Sequence, residues 1–269
     1  MVDVSDFRPV SPASPPAAYI GGKKLLAKRL CALIERTPHE LYAEAFVGMG
    51  GVFLRRRSAP KVEAINDLNK DVATFFRILQ RHYQAFMDML KWQLTSRAEF
   101  ERLLAVDPET MTDLERAARF LYLQRLSFGG KAASRHFGIS TTYSARFDIT
   151  KLGSLLEGVH ERLAGVTIEC LDWREFLARW DRAGTLFYLD PPYFKCEHYY
   201  GAPFPREDHE ALAEALSGIK GRFILSMSDT PETRSIYGRF RVESADVTYM
   251  AVGDKGGRRA RELIVRDSA

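Results

Sequence analysis

The tetrapeptide Asp190-Pro191-Pro192-Tyr193 concentrates the residue types in this chain most able to act on a substrate. It follows the apolar run Thr185-Leu186-Phe187-Tyr188-Leu189, whose unbroken hydrophobicity and β-forming residues predict a buried strand. Proline lacks an amide hydrogen, fixes its own φ and drives the residue before it into extended geometry. The turn is therefore stiff, and it holds the Asp190 carboxylate and the neighbouring carbonyls in place beside the Tyr193 ring. Rigid acceptors next to a flat ring suit a planar substrate carrying an amino group. Adenine has that shape and that chemistry.

A second group of residues lies far upstream. Leu41-Tyr42-Ala43-Glu44-Ala45-Phe46 reads as a first strand, broken by Gly48-Met49-Gly50-Gly51 and followed by a short helix over 52–57. Lys61-Val62-Glu63-Ala64-Ile65 reads as a second strand, closed by Asn66-Asp67. A glycine turn lets backbone approach a ligand at a helix N-terminus. The third glycine of a dinucleotide fingerprint would fall on Phe53, which weighs against NAD or FAD. Asp67, nineteen residues after Gly48, stands where a carboxylate accepts hydrogen bonds from ribose hydroxyls. Together they suit an adenosine ligand without phosphates. Taken singly, a tight turn and ordinary Asn-Asp turn chemistry account for them equally well.

The elements that must position these groups alternate. Strand, glycine turn, helix, strand and acid open a parallel α/β sheet. From 72 to 128 the apolar spacing turns helical, 129–150 is polar, basic and aromatic, and a helix is expected over 152–163. The α/β rhythm returns with a strand over 166–170, a helix over 173–180, the strand before Asp190, a helix over 206–216, a strand over 222–226 and a helix over 231–237. Runs at 247–252 and 262–265 predict an antiparallel terminal hairpin.

With 269 residues, the chain has room for one α/β domain with a sizeable insertion. No apolar run is long enough to cross a bilayer, and no signal-peptide pattern opens the sequence. Cys31, Cys170 and Cys196 form no zinc or CxxC spacing, so reduced thiols, no metal and a cytoplasmic location are expected. The net charge is only +4, yet residues 116–147 carry six Lys or Arg and no Asp or Glu. That asymmetry predicts an anion-facing surface.

Several motifs, in this order, resemble those of the Dam-like (D12 class) S-adenosylmethionine-dependent adenine-N6 DNA methyltransferases. Tyr19-Ile20-Gly21-Gly22-Lys23 is similar to the family's N-terminal cofactor segment, and Phe46-Val47-Gly48-Met49-Gly50 to its FxGxG. Asn66-Asp67-Leu68-Asn69 is similar to its ribose-binding NDxN, and Asp172-Trp173 to an Asp-aromatic pair near the cofactor adenine. Asp190 to Tyr193 resembles the catalytic DPPY, and Glu262-Leu263-Ile264-Val265 the closing strand. The resemblance implies a Rossmann-like methyltransferase sheet with a helical target-recognition insertion. Its expected boundaries are a mobile leader over 1–18, a catalytic domain over 19–75 and 160–269, and the insertion over 76–159.

The implied cofactor is S-adenosylmethionine, held by Tyr19, Gly22, Lys23, Phe46, Gly48, Gly50, Asp67, Asp172, Trp173 and Asp190. The implied substrate is double-stranded DNA, in the cytoplasm of a bacterium or of a phage-infected host. Asp190 and the Pro191 carbonyl would accept the two N6 hydrogens, within the catalytic set Asp190, Pro191, Pro192 and Tyr193. Tyr193 would stack on an adenine flipped out of the duplex. Arg125, Lys131, Arg135 and Arg146, interleaved with aromatics, and Lys255, Arg258 and Arg259 on the hairpin are candidate DNA contacts. Leu123 to Lys131 departs from the family's Asn-Arg-Tyr-like stretch, so the recognised DNA site is not legible. An RNA or protein N-methyltransferase and a catalytically silent DNA-binding module stay open as alternatives.

Overall fold

A computed structural model of the chain describes residues 7–19, 21–127, 135–138, 146–194, 204–249 and 258–267. Seven strands form the main sheet: β1 (Leu41–Glu44), β2 (Val62–Asn66), β3 (Thr167–Glu169), β4 (Thr185–Leu189), β5 (Arg222–Ser228), β6 (Arg241–Tyr249) and β7 (Arg258–Arg266). Their order across the sheet is 3-2-1-4-5-7-6. The first five run parallel, and β7 lies antiparallel to both β5 and β6. β1 and β4 are adjacent, with Glu44 opposite Tyr188, so the glycine turn after β1 and the Asp-Pro-Pro turn after β4 leave the same edge of the sheet. A ligand crevice forms outside such carboxyl ends.

Successive side chains on a strand point to opposite faces. Tyr42, Ile65, Leu186 and Tyr188 join one buried cluster, while Ala43, Phe187, Leu189 and Leu225 join the other. The second cluster is covered by α7 (Trp173–Trp180), α8 (Arg206–Ser217) and α9 (Pro231–Tyr237). The first is covered by α1 (Ala27–Arg36) and by the helices between β2 and β3: α2 (Lys70–Arg81), α3 (Tyr83–Leu90), α4 (Arg97–Ala105), α5 (Asp113–Leu126) and α6 (Ile149–Arg162). Phe75, Phe76, Phe86, Phe100 and Phe120 from these helices belong to the same cluster as the sheet residues. The inserted helices thus share the sheet's core, and α2 and α6 run across the expected boundaries at 76 and 159.

Local signals set most helix starts. Asn69, Ser96, Asp148 and Asp172 cap α2, α4, α6 and α7 through their side chains, and Thr112 with Glu115 closes a capping box on α5.

Three elements differ from the sequence expectation. The helix expected over 52–57 is a single 3-10 turn, Phe53–Arg55. The chain is already extended at Arg56, and Ser58–Ala59 pairs antiparallel with Arg8–Pro9 ahead of Pro60. That pairing also changes the reading of the leader. Val10 N–H donates to the Arg57 carbonyl and Ala13 N–H to that of Leu54, so residues 8–13 lie along the body of the domain. Finally, β6 begins at Arg241, six residues before the expected strand. Its early half, Arg-Val-Glu-Ser-Ala-Asp, is mostly polar because β6 is an edge strand with a largely solvated face.

Candidate active site

Between the two turns opens a cavity of about 900 Å³. Its walls come from the segment before α1, the ends of β1, β2 and β4, the start of α7 and residues near α8. Gly48 (φ +51°) and Gly50 (φ +74°) take the left-handed backbone that only glycine adopts without strain. A Cβ at Gly48 would lie 3.0 Å from the Tyr19 ring, and one at Gly50 would lie 2.7 Å from Leu54 Cγ.

The turn is closed by Asp67. Its Oδ2 accepts from Gly48 N–H at 2.8 Å and its Oδ1 from Asn69 N–H at 2.9 Å. Burial nevertheless raises its pKa to about 6. Glu44, at the end of β1, also reaches the cavity and accepts from Tyr42 OH at 2.6 Å. Its deeper burial pushes its pKa up to about 8. Asp172 lines the wall while capping α7 through Arg174 N–H at 2.8 Å.

Trp173, Phe46 and Phe204 line an aromatic stretch of the same wall. The Phe46 and Phe204 rings meet edge-on at 5.7 Å, and Trp173 lies 6.4 Å from Phe204. Asp208, paired with Arg174 at 2.5 Å, completes that side.

Asp190 stands at the other end. Its Oδ1 lies 2.6 Å from Lys23 Nζ and 3.5 Å from Ser226 Oγ, which is itself 2.7 Å from Tyr188 OH. Burial raises the Asp190 pKa to about 6 against the lowering influence of Lys23. Lys23 is almost fully buried. It also donates to the Gly21 carbonyl and to Tyr193 OH, and lies 4.4 Å from the Tyr193 ring centroid. Tyr193 OH donates in turn to Glu262 Oε2 at 2.8 Å.

The structure therefore brings Tyr19, Gly22, Lys23, Phe46, Gly48, Asp67, Asp172, Trp173, Asp190 and Pro192 to one cavity. Gly50 sits just behind, in the turn. Pro191 is buried off the cavity wall, and Tyr193 points its hydroxyl inward to Glu262.

The basic candidates fare differently. Arg125 lines the cavity, but its guanidinium donates to the carbonyls of Pro16 and Arg146, both at 2.6 Å. Arg135 is buried, donates to Gln124 Oε1 at 3.2 Å and lies 5.6 Å from the Phe120 ring. Among the described residues, both guanidiniums have partners within the chain. Arg146 is half-buried beside Phe147. Lys131 and Lys255 lie outside the described residues. Arg258 and Arg259 pair through their backbones with Tyr249 and Thr248, and their side chains are likewise outside the description.

Glu44, Phe204, Asp208, Ser226 and Glu262 were not among the sequence candidates. None of them stood out locally: Glu44 falls inside the strand expected over 41–46, and Glu262 was read only as the start of the closing strand.

A mostly parallel sheet in the order 3-2-1-4-5-7-6, with a reversed strand between β5 and the edge and a ligand cavity fed by β1, β2 and β4, defines a Rossmann-like methyltransferase. The model of the D12 class N6 adenine-specific DNA methyltransferases matches residues 19–251, and the chain belongs to that family. Its relatives include a type II methyltransferase of Lactococcus lactis subsp. cremoris, 25% identical over 248 residues and covering 86% of each chain. Another is a DNA N-6-adenine-methyltransferase of Escherichia phage P1, 27% identical over 224 residues. That match covers 74% of this chain and only 28% of the longer phage protein. Among solved structures, a precorrin 8W decarboxylase of Methanobacterium thermoautotrophicum aligns over 100% of both chains at 13% identity with a TM-score of 0.41. A SAM-dependent methyltransferase of Agrobacterium tumefaciens covers 98% of this chain and 70% of its own at 12% identity with a TM-score of 0.38.

Proposed function

We propose that the chain transfers the methyl group of S-adenosylmethionine to N6 of an adenine flipped out of double-stranded DNA. The carrying observation is that one cavity joins the Asp190 carboxyl to a glycine turn closed by a second carboxylate, Asp67. Glu44, Asp67 and Asp190 all have pKa values raised by burial. Such a wall disfavours a pyrophosphate and favours a ligand with hydroxyls and positive charge. S-adenosylmethionine has both. Asp67 spends one lone pair of each oxygen on the turn and keeps others for ribose hydroxyls. Trp173, Phe46 and Phe204 offer apolar and aromatic surface to an adenine.

When bound, S-adenosylmethionine supplies an electrophilic methyl on sulfur. The chain's own residues prepare the nucleophile. The N6 lone pair of adenine is delocalised into the ring, so N6 attacks poorly. Both described contacts of Asp190 use Oδ1, which leaves Oδ2 to accept one N6 hydrogen. The Pro191 carbonyl accepts the other. These fixed acceptors draw N6 toward tetrahedral geometry and stabilise the positive charge that grows on it. Tyr193, anchored through its hydroxyl, would stack on the base and offset part of the few kcal/mol that flipping costs.

The test is transfer of labelled methyl to unmethylated plasmid DNA, with RNA in parallel and the product nucleosides identified. Label in N6-methyladenine from DNA is the expected result. Label only in RNA would move the substrate class, and no label in either, without cofactor binding, would refute the reading.

A further inference from the structure

Among the described residues, Lys23, Lys24, Arg55 and Arg125 are the basic side chains that line the cavity. Lys23 bonds to Asp190 Oδ1 at 2.6 Å, Arg125 donates to the carbonyls of Pro16 and Arg146, and Lys24 is exposed. Arg55 is different. It is half-buried at the end of the 3-10 turn that follows the glycine turn, and its Nη1 donates to the Gly51 carbonyl. It pairs with no carboxylate among the described residues, whereas its neighbour Arg56 meets Glu63 at 2.7 Å. Burial lowers its pKa from the ordinary arginine value, with only the Cys31 thiol acting the other way. Gly51, to which it is tied, lies against the segment before α1: an added Cβ would stand 3.4 Å from Lys23 N and 3.8 Å from Gly22 Cα.

Resting on the methyl-transfer reading above, we propose that Arg55 receives the α-carboxylate of S-adenosylmethionine and makes the cavity selective for an adenosyl ligand that carries one. The cofactor bears a sulfonium and an ammonium, which suit a wall holding Glu44, Asp67, Asp172, Asp190 and Asp208. Its carboxylate is repelled by that same wall and needs a cation of its own. A half-buried guanidinium with no counter-charge has lost water without gaining an ionic partner, and an entering carboxylate supplies one. Where a long helix follows a glycine turn, its N-terminus provides the positive end for an anion. Here the turn is followed by only Phe53–Arg55, with Arg56 already extended, so few peptide dipoles align and a side chain must provide the charge. The bond to Gly51 uses Nη1 and fixes the side chain. Nε and Nη2 stay unbonded among the described residues, and that edge of a guanidinium grips a carboxylate through two parallel hydrogen bonds.

The test uses the full chain and calorimetric binding, without DNA, of three ligands: S-adenosylmethionine, S-adenosylhomocysteine and decarboxylated S-adenosylmethionine. The first two carry the carboxylate and the third lacks it. In Arg55→Gln the affinity for the first two is expected to fall about 10- to 100-fold, the scale of hydrogen bonds between charged groups. Affinity for the decarboxylated ligand stays within threefold, so the preference for a carboxylate collapses. Arg55→Lys keeps the charge without the planar fork and recovers part of the preference. Thermal melts confirm that each variant is folded.

Arg125→Gln and Lys24→Gln are measured in parallel, since both residues line the same cavity. Equal losses for all three ligands in Arg55→Gln would show that Arg55 only supports the glycine turn, and would overturn the proposal. So would unchanged affinities, or a carboxylate-selective loss in Arg125→Gln or Lys24→Gln with none in Arg55→Gln. A wild type that binds none of the three ligands refutes the methyl-transfer reading, and this assignment with it. A wild type that binds them and labels no nucleic acid refutes methyl transfer alone, and the ligand comparison still decides the role of Arg55.

Discussion

Replacing Asp190 by Asn keeps the size of the side chain and removes its charge. In the wild type, Asp190 Oδ1 meets Lys23 at 2.6 Å, inside a group that includes Glu262 and Tyr193. An amide there offers Lys23 a neutral acceptor and turns an NH₂ donor toward the substrate amine, where an acceptor is needed. Loss of one preorganised group that stabilises transition-state charge costs about 3–4 kcal/mol, or roughly 10²–10³ in rate. The variant keeps its fold, because Glu262 still neutralises Lys23 and the cost of a buried charge pair missing one partner is only partly incurred.

The pH profile adds a second signature. Burial raises the Asp190 pKa to about 6, and in the proposed reaction the active form is the carboxylate. Wild-type kcat/KM for DNA at saturating cofactor therefore declines as pH falls through 6 or below, since a bound cation favours the ionised form. The Asn variant has no such acid limb and stays low at every pH. The assay is tritiated methyl transfer to plasmid DNA from pH 5 to 9, with thermal melts to confirm folding. A folded Asp190→Asn protein within threefold of wild type, or one that keeps the same acid limb, would refute the role given to Asp190.

Gly50→Ala forces an L-residue to φ +74° and sets a methyl 2.7 Å from Leu54 Cγ, so a loss of about 1–3 kcal/mol in stability and at least tenfold in cofactor affinity is expected from melts and calorimetry. The Glu44 pKa is raised by burial to about 8, so the folded state gains stability while this group is neutral and loses it as pH rises toward and through 8. Between pH 6.5 and 8 that loss is on the order of 1–2 kcal/mol, and Glu44→Gln flattens the dependence in denaturant titrations; an unflattened curve would assign it to another group. Glu63 is buried between Arg56 and Arg162, each at 2.7 Å, and Glu63→Gln leaves two buried guanidiniums short of a partner. About 3–5 kcal/mol of stability is lost on urea unfolding, with cofactor affinity unchanged in whatever protein remains folded.

Much of the glycine-turn half of the cavity follows from local signals. The strands ending at Asn66 and Leu189 are short runs rich in apolar residues with turn residues directly after them, while the first strand stops at Glu44, two residues short of the expected end at Phe46. Glycine at 48 and 50 is required by the backbone of that one turn. Helix α7 runs from Trp173 to Trp180, as expected, with Asp172 as its cap. The polar half was less legible. Arg125 and Arg135 look like nucleic-acid contacts in a basic, aromatic stretch, yet three-dimensional packing turns their guanidiniums onto carbonyls, Gln124 and the Phe120 ring. A charge pattern along a chain does not say which side of a helix or loop faces inward.

What the sequence determines by itself is the order of strands and helices, the stiffness of the Asp190 turn, the shape of the glycine turn and membership of the family. These depend on neighbouring residues and on motifs read in order. What only the tertiary structure decides is which charges meet. Lys23 reaches Tyr193 across 170 positions, and Tyr193 reaches Glu262 across 69. Those contacts exist because β7 folds back antiparallel beside β5 and the segment before α1 closes over the end of β4. Electrostatic energy depends on distance and burial, and both are set by how the sheet assembles.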